Sequence, residues 1–155
     1  MITAVDSNVL IDVVGTNAAH REESEARLLG AAATGALVLS EPVLCEVAIH
    51  FSRSGDLERF LADIGAALVP STVESLHAAG VAWTQHVRRR PRRVICAACG
   101  AANEVRCSRC GATIGMRQHI AADFIIGAHA VVHADQMLTR DRGYYKTYFP
   151  ALKLL

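Results

Sequence analysis

Residues 2–15 read ITAVDSNVLIDVVG, and this stretch decides the fold class. The apolar run of residues 2–5 ends at Asp6 and Ser7, and apolar side chains resume at Val9, Leu10, Val13 and Val14 before Gly15. That spacing predicts a strand, a polar turn and a short helix. Outward from it, residues 37–39, 67–69 and 137–139 predict further strands, and residues 152–155 a short last one. Helices fall between them. Residues 17–30 set Glu22, Glu23, Glu25 and Arg27 around Ala26, Leu28 and Leu29. Ser40 as N-cap and Pro42 in the first turn predict a helix over 41–53, closed by Ser54 and Gly55. A further helix runs from Asp56 to near Gly65, and the capping-box pattern Ser71-x-x-Glu74 opens one toward Arg90 that Pro91 stops. Residues 119–134 read as the last. Strands separated by helices imply an α/β fold with a largely parallel sheet.

With 155 residues, 52% apolar and 20% charged, the chain can bury a core of its own, which predicts a single domain over 1–155 and excludes a disordered or acidic-tail protein. Its longest apolar runs, 35–39 and 125–132, are broken by Gly or His and fall short of the about 20 residues a membrane span needs. No basic region leads into a long apolar stretch at the start. A soluble, cytoplasmic protein without a membrane partner is the expectation. The net charge of +1 conceals an uneven distribution. Residues 86–118 hold eight arginines (Arg88, Arg89, Arg90, Arg92, Arg93, Arg106, Arg109, Arg117) against the single acid Glu104, a local +7. The remainder, eight basic against fourteen acidic residues, carries −6. A basic segment beside an acidic site suits a phosphodiester substrate, because arginines hold the backbone while carboxylates hold metal; a solvated helix end is the other reading.

In an open parallel sheet, ligands collect beyond the carboxyl ends of the strands. Asp6 follows the first strand and Asp141 the fourth; Glu46 lies on the helix after the second, and Asp123 about a turn into the late helix. Four carboxylates at one edge repel unless a cation neutralises them. Magnesium does so through a few carboxylates while keeping several waters, and a pair of ions can activate a water and stabilise the leaving oxygen. Taken singly, each acid also has a structural reading: Asp6 as an N-cap, Glu46 as a solvated helix acid, Asp123 as a macrodipole partner, Asp141 as a turn residue. The apolar neighbours of Glu46 (Val43, Leu44, Val47, Ala48) and of Asp123 (Ala121, Ala122, Phe124, Ile125) argue that these acids need a partner.

Four motifs, AVDSNVLID (4–12), SEPVLCEV (40–47), AADFIIGAHA (121–130) and MLTRDRGY (137–144), together resemble in order and spacing the PIN-domain nucleases of the VapC toxin type. The resemblance covers nearly the whole chain except residues 92–116. It implies a three-layer α/β/α fold with sheet order 3-2-1-4-5, and it carries the family's metal-binding acids onto Asp6, Glu46, Asp123 and Asp141. Asn8 and Thr139 match the family's residues that orient carboxylates or waters. A phosphatase with an aspartyl nucleophile and a second Asp two residues on does not fit, because that place is Asn8.

Of five cysteines, four form two tight pairs, Cys96-x-x-Cys99-Gly100 and Cys107-x-x-Cys110-Gly111. Four thiolates in two such turns complete a tetrahedral zinc site, whereas a redox motif would explain one pair only. A small zinc-binding insertion over 92–117 is therefore predicted. It departs from most relatives of the toxin type and resembles the zinc ribbon of PIN endonucleases in ribosomal-RNA maturation. Cys45, in an apolar helix, reads as an inert core residue. His129 and His133 stand four apart, as a metal pair can, but read rather as core or surface histidines; His119 lies one turn before Asp123. The expectation is a divalent-metal-dependent endoribonuclease using Mg2+ or Mn2+, with one structural Zn2+ and RNA gripped by the arginine-rich loop. A homodimer and an antitoxin partner are implied by the resemblance alone. An RNA-processing nuclease without antitoxin, or a non-catalytic binding module, are the alternatives.

Overall fold

The computed structural model of the chain describes residues 1–15, 19–89, 94–95, 99, 101–114 and 121–155. In chain order the elements are β1 (Ile2–Val5), α1 (Ser7–Val14), α2 (Arg21–Thr34), β2 (Ala36–Leu39), α3 (Glu41–Ala48), α4 (Ser54–Asp63), β3 (Ala66–Leu68) and α5 (Val73–Arg89). The short strands β4 (Val94–Ile95), β5 (Ala102–Asn103), β6 (Val105–Arg106) and β7 (Thr113–Ile114) follow, then α6 (Ala121–His133), β8 (Gln136–Leu138) and α7 (Arg142–Tyr148).

The central sheet has the order β3-β2-β1-β8 and is parallel throughout. Every residue of β8, and all but the first of β1 and β2, is buried. Successive strand residues point to opposite faces, so both faces are covered, which makes three layers. The core is built from Val5, Val9, Leu10, Leu37, Leu39, Val43, Val47, Phe124, Met137 and Leu138 among others. The fifth strand of the predicted order is reduced to one bridge between Met137 and Leu154, held by Met137 N–H to the Lys153 carbonyl and Leu155 N–H to the Met137 carbonyl, both 2.8 Å. Among the described residues no helix is long and apolar enough to cross a membrane.

Three of the boundaries that differ from expectation have an identifiable cause. Helix α2 passes through Gly30, because Ala31, Ala32 and Ala33 are strong helix formers, and it stops at Gly35, where a Cβ would collide with the Met1 backbone. Helix α3 ends at Ala48, where His50 and Phe51 N–H groups tighten onto the Val47 and Ala48 carbonyls (3.1 and 3.0 Å) and Phe51 turns onto Phe60, centroids 5.4 Å apart. Ser54 and Gly55 then open α4 instead of closing α3. The cap of α5 is shifted by one residue. Thr72 N–H donates to Ser75 Oγ (3.0 Å) and Ser75 N–H to Thr72 Oγ1 (3.2 Å), while Ser71 gives its N–H and hydroxyl to Glu41 (2.9 and 2.6 Å).

The insertion folds as two antiparallel pairs, β4 with β5 and β6 with β7. Each pair brackets one cysteine pair in sequence. Arg90, Arg92, Arg93, Arg117, Cys96 and His119 lie outside the described residues, as do Pro91 and Gly100.

Candidate active site

Because the sheet is parallel, β1, β2 and β8 end along one edge. Asp6 follows β1 there and is 4% exposed. Two side chains converge on its Oδ2: Asn8 Nδ2 and Thr139 Oγ1 both donate at 2.6 Å. Oδ1 has, among the described side chains, only a long contact from Ser7 Oγ at 3.5 Å. The Thr139 hydroxyl also accepts the Asp141 N–H at 3.0 Å, and Asn8 Oδ1 accepts the Arg140 N–H at 3.3 Å. Asn8 and Thr139 thus tie Asp6 to the loop that carries Asp141. Asp141 in turn caps α7, its Oδ1 accepting the Tyr144 N–H at 3.1 Å.

Glu46, on α3, and Asp123, in the first turn of α6, are both half-buried. Their electrostatic reach is visible at Asp6, whose pKa is pushed up to about 6, mainly by burial and further by the carboxylates of Asp123 and Glu46, against the hydrogen bonds from Thr139 and the Ser7 backbone. The Tyr145 phenol is raised by burial first and then by Asp6, Asp123 and Asp141. Tyr144 is raised by burial, Asp123, Tyr148 and Asp141. The fold therefore brings all four predicted acids into one electrostatic neighbourhood backed by two buried tyrosines. Among the described residues, no three His, Cys, Asp or Glu side chains come together as a ready metal cage.

Several residues at this edge escaped the sequence reading. Asp12 is buried on α1 and accepts Ser24 Oγ at 2.7 Å and both Arg140 Nε (2.8 Å) and Nη2 (3.2 Å). Arg27 Nη2 reaches the Thr139 carbonyl at 3.4 Å. These contacts fasten α1 and α2 to the β8–α7 loop; the visible signal was an arginine between Thr139 and Asp141. Ser40 stands at the N-cap of α3 as predicted, but its side chain makes no cap bond.

In the insertion, Cys107 begins a turn in which its carbonyl accepts the Gly111 N–H and its N–H donates to the Ala112 carbonyl, both 2.8 Å, with Gly111 at φ 71°. That left-handed conformation is the one glycine permits. N–H groups of Cys110 and Arg109 reach the Cys107 thiol and lower its pKa. Cys99 and Cys110 are exposed and Cys107 half-buried. Arg88 and Arg89 are exposed in the last turn of α5, and Arg106 and Arg109 on the second hairpin, where Arg106 pairs with Glu104 at 2.7 Å. Cys45 is exposed, not a core residue, because its position on α3 faces away from the buried Val43 and Val47. His129 is buried and its Nε2–H donates to the Val69 carbonyl at 2.8 Å, a packing role that removes this nitrogen from metal binding.

Residues 3–150 match the family described as PIN domain. The chain belongs to the PIN domain family. In fold, this PIN domain is similar to a chain of the crystal structure of VapBC2 from Rickettsia felis bound to a DNA fragment from their promoter, with TM-score 0.60 and 16% identity over 100% of this chain and 98% of that one. No curated protein sequence matches it. PIN domains are generally nucleases and generally use Mg2+ or Mn2+. The donors at the strand ends fit such a hard ion: they are carboxylate oxygens, and the buried Asp6 faces two further carboxylates that raise its pKa.

Proposed function

We propose that this PIN domain is a divalent-metal-dependent endoribonuclease acting as the toxin of a toxin–antitoxin pair. The observation that carries the nuclease reading is the buried Asp6, clamped by Asn8 and Thr139 and raised to about 6 by burial and by Asp123 and Glu46. Such an arrangement suits a site whose charge is balanced by a bound cation. Asp6, Glu46, Asp123 and Asp141 would hold Mg2+ or Mn2+. When bound, the ion supplies positive charge that activates water and stabilises the leaving oxygen of a phosphodiester. Asn8 and Thr139 orient the Asp6 carboxylate, the Thr139 bond favouring its ionised form against burial, and the buried Tyr144 and Tyr145 back the site.

The arginines Arg88, Arg89, Arg90, Arg92, Arg93, Arg106, Arg109 and Arg117 are assigned to the RNA backbone, and Cys96, Cys99, Cys107 and Cys110 to one structural Zn2+. The turn at Cys107, with its N–H groups aimed at the thiol and Gly111 left-handed, supports the zinc assignment. A homodimer, an antitoxin partner and a cytoplasmic address complete the reading. The antitoxin is supported by the likeness in fold to a chain of the VapBC2 complex. Because the insertion is itself built as two β-hairpins, an RNA-processing nuclease without an antitoxin is the second reading.

The test is cleavage of labelled RNA by the purified chain. Cleavage should require Mg2+ or Mn2+, stop on mild chelation that leaves zinc in place, and disappear in Asp123→Asn. Wild-type rates from Asp123→Asn, in a preparation free of contaminating nuclease, would refute the assignment. Co-purification with a small protein encoded beside it, and inhibition by that protein, separates toxin from processing enzyme.

A further inference from the structure

We propose that Ser40 is a further residue of the carboxylate site, its hydroxyl holding a water in the hydration shell of the divalent cation; this deepens the metal-dependent reading above and rests on it. Register partners in a parallel sheet carry their side chains to the same face. Ala4 pairs with Val38 across β1 and β2, and Val5 with Leu138 across β1 and β8. Continued to the next residues, two on from Ala4–Val38 and one on from Val5–Leu138, these registers set Asp6 between Ser40 and Thr139. The backbone stays extended at Asp6 (φ −80°, ψ 150°) and at Ser40 (φ −89°, ψ 164°), so strand geometry continues through that row. All three side chains therefore leave the same face, and the 2.6 Å bond from Thr139 to Asp6 Oδ2 realises this on one flank.

Ser40 is the other flank. It is 2% exposed, and its Oγ has no hydrogen-bond partner among the described residues. A serine at an N-cap ordinarily accepts an N–H from the first turn of its helix, yet Ser40 does not, and the next-but-one residue, Pro42, has no N–H to give. A buried hydroxyl left unpaired destabilises a fold, so an unpaired one in the same sheet row as the buried Asp6 carboxylate calls for a ligand. The two hydroxyls differ in what they have left to offer. Thr139 Oγ1 donates to Asp6 and accepts from Asn8 and the Asp141 N–H, which saturates it. Ser40 keeps one donor and two acceptor positions. A water can both give and take a hydrogen bond, and magnesium keeps several of its waters when carboxylates bind it. In that role Ser40 accepts a proton of the hydration water and donates its own to a carboxylate of the site.

The test uses the full chain without RNA: Mn2+ binding followed by electron paramagnetic resonance of the free ion, and thermal unfolding without added divalent metal, for wild type, Ser40→Ala and Asp6→Asn. Ser40→Ala should unfold at a higher temperature than wild type, because the unpaired hydroxyl is gone. It should also bind Mn2+ about tenfold or more weakly, the loss typical of a hydrogen-bonding partner just outside the ligands. If Ser40→Ala binds Mn2+ as wild type does while Asp6→Asn loses it, the inference is wrong and the metal-dependent reading stands. If wild type shows no Asp6-dependent Mn2+ binding, both fall. A Ser40→Ala protein that unfolds at a lower temperature overturns the inference too, since its hydroxyl would then belong to the fold.

Discussion

Asp6 ionises with difficulty in the folded chain, and the consequence is measurable. Its shift from 3.8 to about 6 corresponds to roughly 3 kcal/mol of differential interaction. The folded pKa lies above the unfolded one, so the native state holds this proton more tightly. The resulting stability is fully present below about pH 4 and is lost as the pH rises through about 6. Without divalent metal, urea unfolding should therefore show Asp6→Asn, which carries no charge, gaining on wild type between pH 4 and 6 and remaining more stable above. A gap between the two proteins that does not vary with pH would remove burial of a charge as the cause. Arg140 leads to a second expectation. It is the clamp on buried Asp12, so Arg140→Ala should cost about 1–3 kcal/mol, the range for leaving a buried polar group short of a partner, with Ser24 retaining part of the contact. The same substitution should lower cleavage, because the loop bearing Thr139 and Asp141 loses one of its ties to α1, the other being Asn8. Asp6 was legible because it follows a strand, and Asn8 and Thr139 through the resemblance of their motifs. The Asp12–Arg140 pair was not, because its partners lie 128 residues apart and an arginine between Thr139 and Asp141 does not by itself name its partner.

Element identity was largely written in local patterning, whereas element ends depended on distant partners. The strands at residues 2–5 and 137–139 were recognisable because short apolar runs bounded by polar turns have few other uses. The cap of α5 slipped by one residue because the box Ser71-x-x-Glu74 satisfies the local rule. Glu41, thirty positions away, takes Ser71 for itself and leaves the cap to Thr72 and Ser75. Helix α6 makes the same point within an element. Gly127 sits in its middle, where glycine costs about 1 kcal/mol relative to alanine. Its reason is tertiary: a Cβ there would run into the Phe149 ring, which packs at the end of α7. Gly127→Ala should therefore destabilise, not stabilise, by about 1–3 kcal/mol of overpacking less the helix gain. Pairing it with Phe149→Leu should recover part of that loss in a double-mutant cycle, as expected of residues in contact. A more stable Gly127→Ala protein in urea unfolding would show that the ring moves aside freely.

In the whole molecule, the sheet with its helices and the insertion pose different questions of stability. Val94 and the described residues between 99 and 114 neither belong to the hydrophobic core nor pack against it. The two hairpins there have two-residue strands, far too little apolar surface to balance the entropy of ordering them. Zinc is the agent that would supply the missing free energy, since metal binding and folding are one process in units of this size. Cys107→Ser should then release one zinc per chain, read with a chromogenic chelator. Amide spectra should lose dispersion for residues 94–114 while Thr3, Val38 and Met137 keep their shifts, because the strands pair among themselves. Collapse of the sheet signals together with those of the hairpins would mean the insertion is part of the core fold after all. The charge of the loop bears on what it would hold. Arg106 and Arg109 lie exposed on it, in the segment carrying +7 while the remainder carries −6. If they hold RNA backbone, replacing both with alanine should weaken binding and flatten the log–log salt dependence by about 0.7–0.9 per lost phosphate contact. Arg106 is already paired with Glu104, so Arg109→Ala alone should account for the larger part. Unchanged RNA affinity and salt slope, with an altered oligomeric state, would instead assign the loop to contacts between protein chains.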